Sequence, residues 1–488
     1  MSLKQKTVSG IFWSSVERFS IQGVQFVLGI IMARLLAPAD FGLVGMLTIF
    51  LAISQSIIDS GFSNALIRKK TRTEADFSTV FYFNIVIGLF FYFILFFASH
   101  YIAAFYNTPI LESLTKVVAL TIFLNSFTIV QEAKFTINVD FKTLTKASLL
   151  SALISGAVGI ALAYRGFGVW ALAVQSIVSS CVRLITLWLY SGWRPQKVFS
   201  ITSFKEMFSY GSKMLLSGLI NTIYNNMYTI IIGKKFSKAD VGYFTRASVY
   251  VFFFSSNITS ILQRVTFPVL SSIQDEDERL RETYRKFLRL SAFVVFPLMM
   301  GLCSLADPLI RVLLTEKWVG AILLLQIMCL SGMWYPIHAI NLNLLQVKGR
   351  SDLFLRVEII KKVIGVLILV VTIPFGVAAM CWGGVFSSLI SLFINTYYTE
   401  RLIQFGYLKQ MKDLLPILGL SLSMGLIVWG VTRLIHINLL ALIIGGIVGT
   451  VYYFLVAHIT KSQELQEVRV LLNILREKVD FRKFKNRF

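Results

Sequence analysis

Apolar stretches of about 20 residues recur along the whole chain and are separated by short polar segments. A helix of that length crosses a hydrocarbon layer about 30 Å thick. The pattern therefore predicts an all-α integral membrane protein with about fourteen transmembrane helices. The predicted spans cover residues 9–34, 39–60, 77–104, 111–133, 147–164, 167–191, 206–232, 239–263, 290–310, 319–345, 351–373, 377–399, 414–434 and 438–459.

The composition fits a lipid environment and excludes a soluble globule. Of the 488 residues, 56% are hydrophobic and 15% are charged, whereas soluble domains have about 25% charged residues. The net charge of +22 would suit a nucleic-acid-binding protein only if the basic residues formed one soluble face, and they do not. No segment between spans is long enough to hold a soluble domain, so soluble catalysis is not expected. The longest, from Gln274 to Arg289, is predicted to extend a helix into the cytoplasm.

The positions of Lys and Arg predict the orientation of the chain. When the segments between spans are assigned alternately to the two sides, 34 of the 47 basic residues lie on the side of both termini and eight on the other. Such an excess marks the cytoplasmic side, so both termini are predicted to be cytoplasmic. The tail, residues 461–488, is predicted to form a basic amphipathic helix on the anionic membrane surface, with a short coiled coil to a partner as the alternative. Its apolar stripe is Leu465, Val468, Leu472, Leu475 and Val479.

An internal repeat divides the chain. Residues 34–42 (RLLAPADFG) match residues 234–242 (KKFSKADVG) at an offset of 200 residues, and each copy joins the first two spans of its half. Six spans separate the copies, so the halves run in the same direction and are predicted to be related by a pseudo-twofold axis along the membrane normal. The predicted domains are an N-terminal six-helix lobe (1–200), a C-terminal six-helix lobe (201–405), two additional helices (406–460) and the tail (461–488).

Polar residues form stripes at helical spacing on the helices that flank the two repeated turns. Gln22 and Gln25 also align with Thr222 and Asn225 at the same offset of 200 residues. We therefore expect the stripes to line one central cavity. They comprise Ser14, Arg18, Gln22 and Gln25 in span 1, with Glu17 beside them, Thr48, Gln55 and Asp59 in span 2, Lys213, Ser217, Asn221, Tyr224 and Tyr228 in span 7, and Tyr243, Arg246, Tyr250 and Asn257 in span 8.

Five basic residues lie inside the predicted spans. An intramembrane Arg or Lys costs about 2.5 to 3.5 kcal/mol on insertion scales, so each requires water, an ion-pair partner or a ligand. For Arg18, Lys213 and Arg246, which lie deep in their spans, contact with an anionic ligand is the favoured interpretation. For Lys116 and Arg183, which lie in peripheral spans, an internal ion pair is favoured. The four cysteines and four histidines show no metal-ligand spacing, and no metal or other cofactor is expected.

Four segments resemble the polysaccharide flippases, often called Wzx, and most of all their colanic-acid-type branch. They are residues 38–42 (PADFG), 59–68 (DSGFSNALIR), 166–172 (GFGVWAL) and 239–247 (ADVGYFTRA). The resemblance covers nearly the whole chain, and the superfamily also contains multidrug antiporters and lipid II flippases. It implies transport of undecaprenyl-pyrophosphate-linked oligosaccharide repeat units from the cytoplasmic to the outer leaflet of the bacterial inner membrane by alternating access, with membrane lipids and polysaccharide assembly proteins as partners. It also implies that the last two helices help to house the lipid tail.

The residues expected to take part in this transport are those of the polar stripes. Cationic Arg18, Lys213 and Arg246 are expected to attract the pyrophosphate or acidic sugars. Glu17 and Asp59 are candidates for coupling to a proton or sodium gradient, although Asp59 also suits a helix cap. The predicted sugar contacts are Gln22, Gln25, Asn221, Tyr224, Asn225, Tyr228, Tyr243 and Tyr250.

Other functions remain open on the sequence alone. A multidrug or organic-cation antiporter on the same fold would require an excess of intramembrane carboxylates, and cations predominate here. A lipid II flippase fits the same features. A polysaccharide polymerase or ligase would be expected to carry a large outer loop with basic residues, and a scaffold would not explain polar stripes in mid-span.

Overall fold

The computed structural model describes residues 20–59 and 62–468, apart from the side chains of residues 59, 210–214 and 216–217. Throughout this part of the chain the regular secondary structure is helical. The first eleven helices are α1 (Ser20–Leu35), α2 (Pro38–Asp59), α3 (Phe62–Arg68), α4 (Glu74–Phe105), α5 (Ile110–Val118), α6 (Leu120–Ser126), α7 (Ile129–Ile137), α8 (Phe141–Tyr164), α9 (Val169–Ser191), α10 (Ile201–Lys235) and α11 (Lys238–Ser272).

The remaining helices follow with short connections. They are α12 (Asp277–Ser304), α13 (Ala306–Leu314), α14 (Gly320–Gly332), α15 (Tyr335–Val347), α16 (Ser351–Thr372), α17 (Val377–Ile403), α18 (Tyr407–Leu434) and α19 (Asn438–Ile459), with 3₁₀ turns at Glu316–Trp318 and Ile373–Phe375. The charged segment before span 9 does extend a helix, because α12 begins at Asp277.

The prediction of an all-α, multi-pass membrane protein is confirmed. Nine helices within the described ranges are long and apolar enough to cross a membrane, and a tenth is added if α5 to α7 form one broken span. Helices α10, α11 and α16 contain 35, 35 and 22 residues but are not among these nine, and α1 is described only from Ser20. The number fourteen therefore stays a prediction.

The predicted span 111–133 corresponds to three helices, α5, α6 and α7, with a bend of 41° before α7 that the sequence did not predict. Side chains at the bend compete for backbone carbonyls: Thr128 Oγ1 donates to the Asn125 carbonyl at 2.8 Å and Ser126 Oγ donates to the Phe123 carbonyl at 2.7 Å. Such local bonds offer the backbone an alternative to the α-helical ladder. Span 319–345 is similarly interrupted between α14 and α15, just before Pro336, and the short helices α3 and α13 were not predicted.

Contacts between helices divide the chain into two compact units, with the boundary inside α11 between Thr245 and Arg246. In unit 1, α8 packs along α9, α10 along α2, and α4 against α5 and α6. Helix α1 approaches α8 closely, since a Cβ on Gly156 would lie 2.5 Å from the Leu28 side chain. Unit 1 therefore contains both copies of the repeated turn.

In unit 2, the last two helices pack on α12 and α13. Ser304 Oγ donates to the Gly425 carbonyl at 2.8 Å, which joins α12 to α18. Tyr453 OH donates to the Phe293 carbonyl at 2.8 Å, which joins α19 to α12. A Cβ on Gly445 would lie 2.8 Å from the Leu305 side chain, so small residues permit the close approach of α19.

Candidate functional site

The two repeated turns have the same hydrogen-bonded structure. In the first, the Ala37 amide donates to Asp40 Oδ2 at 3.0 Å. In the second, the Ser237 amide donates to Asp240 Oδ2 at 3.0 Å, and Ser237 Oγ donates to the same oxygen at 2.7 Å. Each aspartate occupies the third position of its helix and caps the residue before the helix. The repeated Ala-Asp pair is thus explained by the start of α2 and of α11.

The repeated glycines bring the two turns into direct contact. A Cβ on Gly42 would lie 1.8 Å from the Lys238 carbonyl oxygen, and a Cβ on Gly242 would lie 2.0 Å from the Pro38 carbonyl oxygen. Only glycine allows two backbones to approach this closely. Each copy of the repeat therefore supplies a glycine to the other copy, which is a reciprocal contact of the kind that a twofold relationship produces.

The close contact continues along α2, which packs on α11 at Gly45 and on α10 at Ser56. A Cβ on Gly45 would lie 3.0 Å from the Val241 side chain, and one on Gly218 would lie 3.2 Å from Ser56 Oγ. The polar stripes of α1, α2 and α10 consequently belong to one compact unit, together with the beginning of α11.

The predicted site residues of unit 1 occupy different environments. Gln25, Asn221 and Asn225 are exposed, whereas Gln22 and the three tyrosines at 224, 228 and 243 are half-buried. Gln22 Oε1 is buried and has no hydrogen-bond partner among the residues that the structure describes. The Tyr228 ring stacks on Phe244, with ring centroids 5.8 Å apart and an angle of 2° between the planes. One face of Tyr228 is therefore already covered.

Four of the proposed ligand and coupling residues lie outside the part of the chain that the structure describes, as do Ser14 and the side chain of Ser217 in the stripes. Glu17 and Arg18 lie outside the described residues, and the side chains of Asp59 and Lys213 lie outside the described side chains. In the span 2 stripe, Gln55 Oε1 accepts a hydrogen bond from Asn125 Nδ2 at 3.3 Å, so this position joins α2 to the bend after α6.

Arg246 and Tyr250 lie in unit 2, one turn apart on α11. The Arg246 side chain is half-buried. Tyr250 itself is only 2% exposed. The structure thus brings the two residues together within one helix.

The expectation of internal ion pairs for the peripheral cations is confirmed. Lys116 Nζ lies 2.8 Å from Glu112 Oε1, four residues earlier on α5. Arg183 Nε lies 2.9 Å from Glu132 Oε1, and its Nη1 donates to Ser148 Oγ at 2.7 Å. Arg183 therefore ties α9 to α7 and α8.

Buried polar groups in unit 2 were missed by the sequence reasoning. Gln410 Nε2 on α18 donates towards Thr399 Oγ1 and the Phe405 carbonyl, both at 3.1 Å, and Asn341 Nδ2 on α15 donates to Gln410 Oε1 at 3.2 Å. His338 contacts Ser388 Oγ at 2.9 Å through Nε2 and Asn395 Nδ2 at 3.2 Å through Nδ1. Each group joins residues from different helices, and the pairing between helices is not marked in the sequence.

Solved structures of membrane transporters share this fold. A lipid II flippase, MurJ, in an inward closed conformation matches with a TM-score of 0.73 and 15% identity over 92% of this chain and 98% of its own. An inward-facing multidrug resistance transporter of the MATE family, from the MOP superfamily, matches with a TM-score of 0.59 and 16% identity over 80% of this chain and 99% of its own. At these identities the likeness establishes the fold. The protein is thus a polytopic helical membrane protein with the same fold as these two transporters.

Sequence relatives define the family within that class. A family model described as "Polysaccharide biosynthesis protein" matches residues 31–323. The teichuronic acid biosynthesis protein TuaB of Bacillus subtilis (strain 168) is 26% identical over 88% of this chain and 90% of its own length. The lipopolysaccharide biosynthesis protein WzxC of Escherichia coli (strain K12) is 26% identical over 74% of each chain. The chain belongs to the polysaccharide biosynthesis protein family, and the predicted resemblance to Wzx-type flippases is confirmed.

Proposed function

We propose that this protein is a flippase that moves undecaprenyl-pyrophosphate-linked oligosaccharide repeat units from the cytoplasmic to the outer leaflet of a bacterial inner membrane. Membership of the polysaccharide biosynthesis family supports the general role. Relatives named for teichuronic acid and lipopolysaccharide biosynthesis support a glycan cargo, and the transporter fold supports movement across the membrane.

One observation carries the assignment of the site. Gln25 on α1 and Asn221 and Asn225 on α10 are exposed in the interior of predicted spans. An amide in contact with hydrocarbon loses several kcal/mol of hydration, about 4–8 in a solvent without hydrogen bonds. These exposed faces therefore suit a water-filled vestibule, where amides can form hydrogen bonds with sugar hydroxyls.

Charge supports an anionic head group as the ligand of this vestibule. In our proposal Arg18, Lys213 and Arg246 attract the pyrophosphate, while the amides and Tyr224, Tyr228, Tyr243 and Tyr250 contact the sugar units. Alternating access of the two predicted six-helix lobes then exposes the head group to the outer side. Glu17 and Asp59 are the groups that we propose for ion coupling, and both termini are proposed to be cytoplasmic.

The test is complementation of a strain that lacks this gene. Asn225→Leu and the double variant Arg18→Ala with Arg246→Ala are each expected to reduce surface polysaccharide at least tenfold. Lipid-linked intermediates, identified by mass spectrometry, are expected to accumulate. Asn226→Leu is the matched control, because Asn226 is half-buried and its Nδ2 donates to the Thr222 carbonyl at 2.9 Å.

Full export by both well-expressed site variants would remove the proposed site. Accumulation of lipid II in the deletion strain would instead indicate that the cargo is lipid II and that the protein is a lipid II flippase. Efflux of organic cations without any glycan defect would favour the antiporter.

A further inference from the structure

The connection between α9 and α10, residues 192–200, exposes apolar side chains although it belongs to neither helix. Val198 is 46% exposed and Phe199 is 51% exposed, and Ile201, the first residue of α10, is 64% exposed. Apolar surface in contact with water is unfavourable in proportion to its area. Adjacent exposed apolar side chains of this kind therefore mark a surface that contacts another molecule or a membrane.

The inner side of the connection is fixed to α4 through its backbone. The Gln196 amide donates to Ser78 Oγ and the Ser200 amide donates to Thr79 Oγ1, both at 2.9 Å. The two acceptor residues are fully buried on α4. These bonds occupy the inner side of the segment, and the apolar side chains between them remain on the outer side.

The apolar surface continues onto α10 through neighbouring aromatic rings. The ring centroid of Phe204 lies 6.0 Å from that of Phe199 and 5.6 Å from that of Phe208. Phe208 is exposed, whereas Phe204 is half-buried and packs on Phe62 of α3 with ring centroids 5.7 Å apart. The exposed side chains are thus anchored on the core of unit 1. We refer to these four residues as the outer apolar surface: Val198, Phe199, Ile201 and Phe208.

The charged residues within this stretch of chain are all basic. Residues 192–205 contain Arg194, Lys197 and Lys205 but no Asp or Glu, and all three basic residues are exposed. The next residue, Glu206, is paired with Lys69, whose Nζ lies 2.9 Å from its Oε2. Exposed apolar groups combined with positive charge are typical of a segment that lies on an anionic membrane surface.

We propose that this connection binds the anionic phospholipids of the cytoplasmic leaflet, with the outer apolar surface among the acyl chains and Lys197 and Lys205 at the head-group phosphates. A lipid surface fits better than a partner protein, because the connection directly follows α9, which is long and apolar enough to cross a membrane. The predicted orientation puts it on the side where the leaflet is anionic. Since the connection joins the two predicted six-helix lobes, its anchoring then depends on the lipid charge. The proposal does not depend on the transported cargo.

The test is hydrogen–deuterium exchange of the purified full-length protein in two kinds of nanodisc, one of phosphatidylcholine alone and one of phosphatidylcholine mixed equally with anionic phosphatidylglycerol. The amides of residues 197–202 are expected to exchange about fivefold more slowly in the mixed lipid, since one basic residue near an anionic surface contributes about that factor. The double variant Lys197→Gln with Lys205→Gln is expected to lose this difference. Lys70→Gln is the matched control, because Lys70 is exposed on the connection after α3, which is also predicted to be cytoplasmic.

A second variant tests the apolar contacts separately. Phe199→Ser with Ile201→Ser is expected to accelerate exchange of residues 197–202 about tenfold in both lipids, and an unchanged melting temperature in detergent shows that the variant folds. Equal exchange of the wild type in the two nanodiscs would overturn the proposal and leave the connection in water or against a partner protein. A lipid difference that persists without Lys197 and Lys205, or an equal loss in Lys70→Gln, would also overturn it, as would wild-type exchange in the apolar variant.

Discussion

Gly42 and Gly242 each lie against the turn of the other copy. A Cβ on Gly42 would lie 1.8 Å from the Lys238 carbonyl oxygen, and a Cβ on Gly242 would lie 2.0 Å from the Pro38 carbonyl oxygen. Alanine at either position must separate α2 from α11, because a backbone carbonyl cannot rotate away as a side chain can. Overpacking of a core typically costs about 1–3 kcal/mol, and we expect Gly42→Ala and Gly242→Ala to destabilise unit 1 by more than this. Thermal unfolding in detergent measures the effect.

Gly446→Ala is the control for this pair. Nothing lies within 4 Å of a Cβ at Gly446 in α19, so alanine there is expected to raise stability by about 0.5–1 kcal/mol or leave it unchanged. Equal melting temperatures for Gly42→Ala, Gly242→Ala and wild type would show that the two turns do not touch as described.

The two capping aspartates are expected to differ in strength. Asp240 accepts from both the amide and the hydroxyl of Ser237, whereas Asp40 accepts from the Ala37 amide alone. Loss of a helix cap costs about 1 kcal/mol. We therefore expect Asp240→Ala to lower the melting temperature more than Asp40→Ala. The two Asp→Asn variants, which retain an acceptor oxygen, are expected to lie nearer to wild type. The reverse order would contradict this account.

Lys69 holds α4 and α10 together from the connection after α3. Its Nζ lies 3.0 Å from Asp76 Oδ1 and 2.9 Å from Glu206 Oε2, and the Asp76 side chain is 1% exposed. Lys69→Met leaves that carboxylate buried without its cation, so we expect a loss of about 3 kcal/mol. Lys70→Met, at an exposed position, is expected to have little effect. A small effect at Lys69 would indicate that the other hydrogen bonds to Asp76, including that from the Thr73 amide, are sufficient for this carboxylate.

The pH dependence of the Lys69 contribution follows from its pKa. The hydrogen bond that Lys69 donates to Glu206, and then its contacts with Asp76, raise the pKa of Lys69 above its ordinary value of 10.5. A raised pKa in the folded state means that the stabilisation is fully present below the pKa of the unfolded chain and is lost as the pH rises through the folded value. The difference in melting temperature between wild type and Lys69→Met should therefore be constant at neutral pH and decrease only above about pH 10.5.

The buried amide of Gln410 is expected to be important for unit 2. Its Nε2 lies between Thr399 Oγ1 and the Phe405 carbonyl, and its Oε1 accepts from Asn341. Gln410→Ala removes these bonds and leaves several polar groups without partners, each at a cost of about 1–3 kcal/mol. We expect a loss of stability far larger than in Lys412→Ala, which changes an exposed residue of the same helix. Circular dichroism on heating measures both, and a similar loss in the two variants would count against the network.

The sequence revealed features that depend on local or repeated patterns. Length and hydropathy were sufficient for most helices, and the offset of 200 residues revealed the two turns because each cap lies within four residues. The ion pair between Lys116 and Glu112 can likewise be recognised in the sequence, because the two residues are four positions apart in one helix. By contrast, Tyr106 lies against Gly233, more than 120 residues later in the chain, and Arg183 meets Glu132 on another helix. Such contacts are set by how helices pack, which no period in a single sequence encodes.

The beginning of the tail is held by α12. Arg289 Nε donates to Glu464 Oε1 at 2.6 Å, and Lys286 Nζ lies 3.0 Å from Glu467 Oε1. Arg289→Ala is expected to release residues 463–468, because Glu464, whose side chain is 7% exposed, would lose the cation with which it pairs. Hydrogen–deuterium exchange of these amides should therefore accelerate at least tenfold in the variant. Arg281→Ala, which breaks a pair with Glu278 inside α12, is the control and should leave the exchange of the amides of residues 463–468 unchanged. Equal protection of these amides in the two variants would show that the tail is held by other contacts.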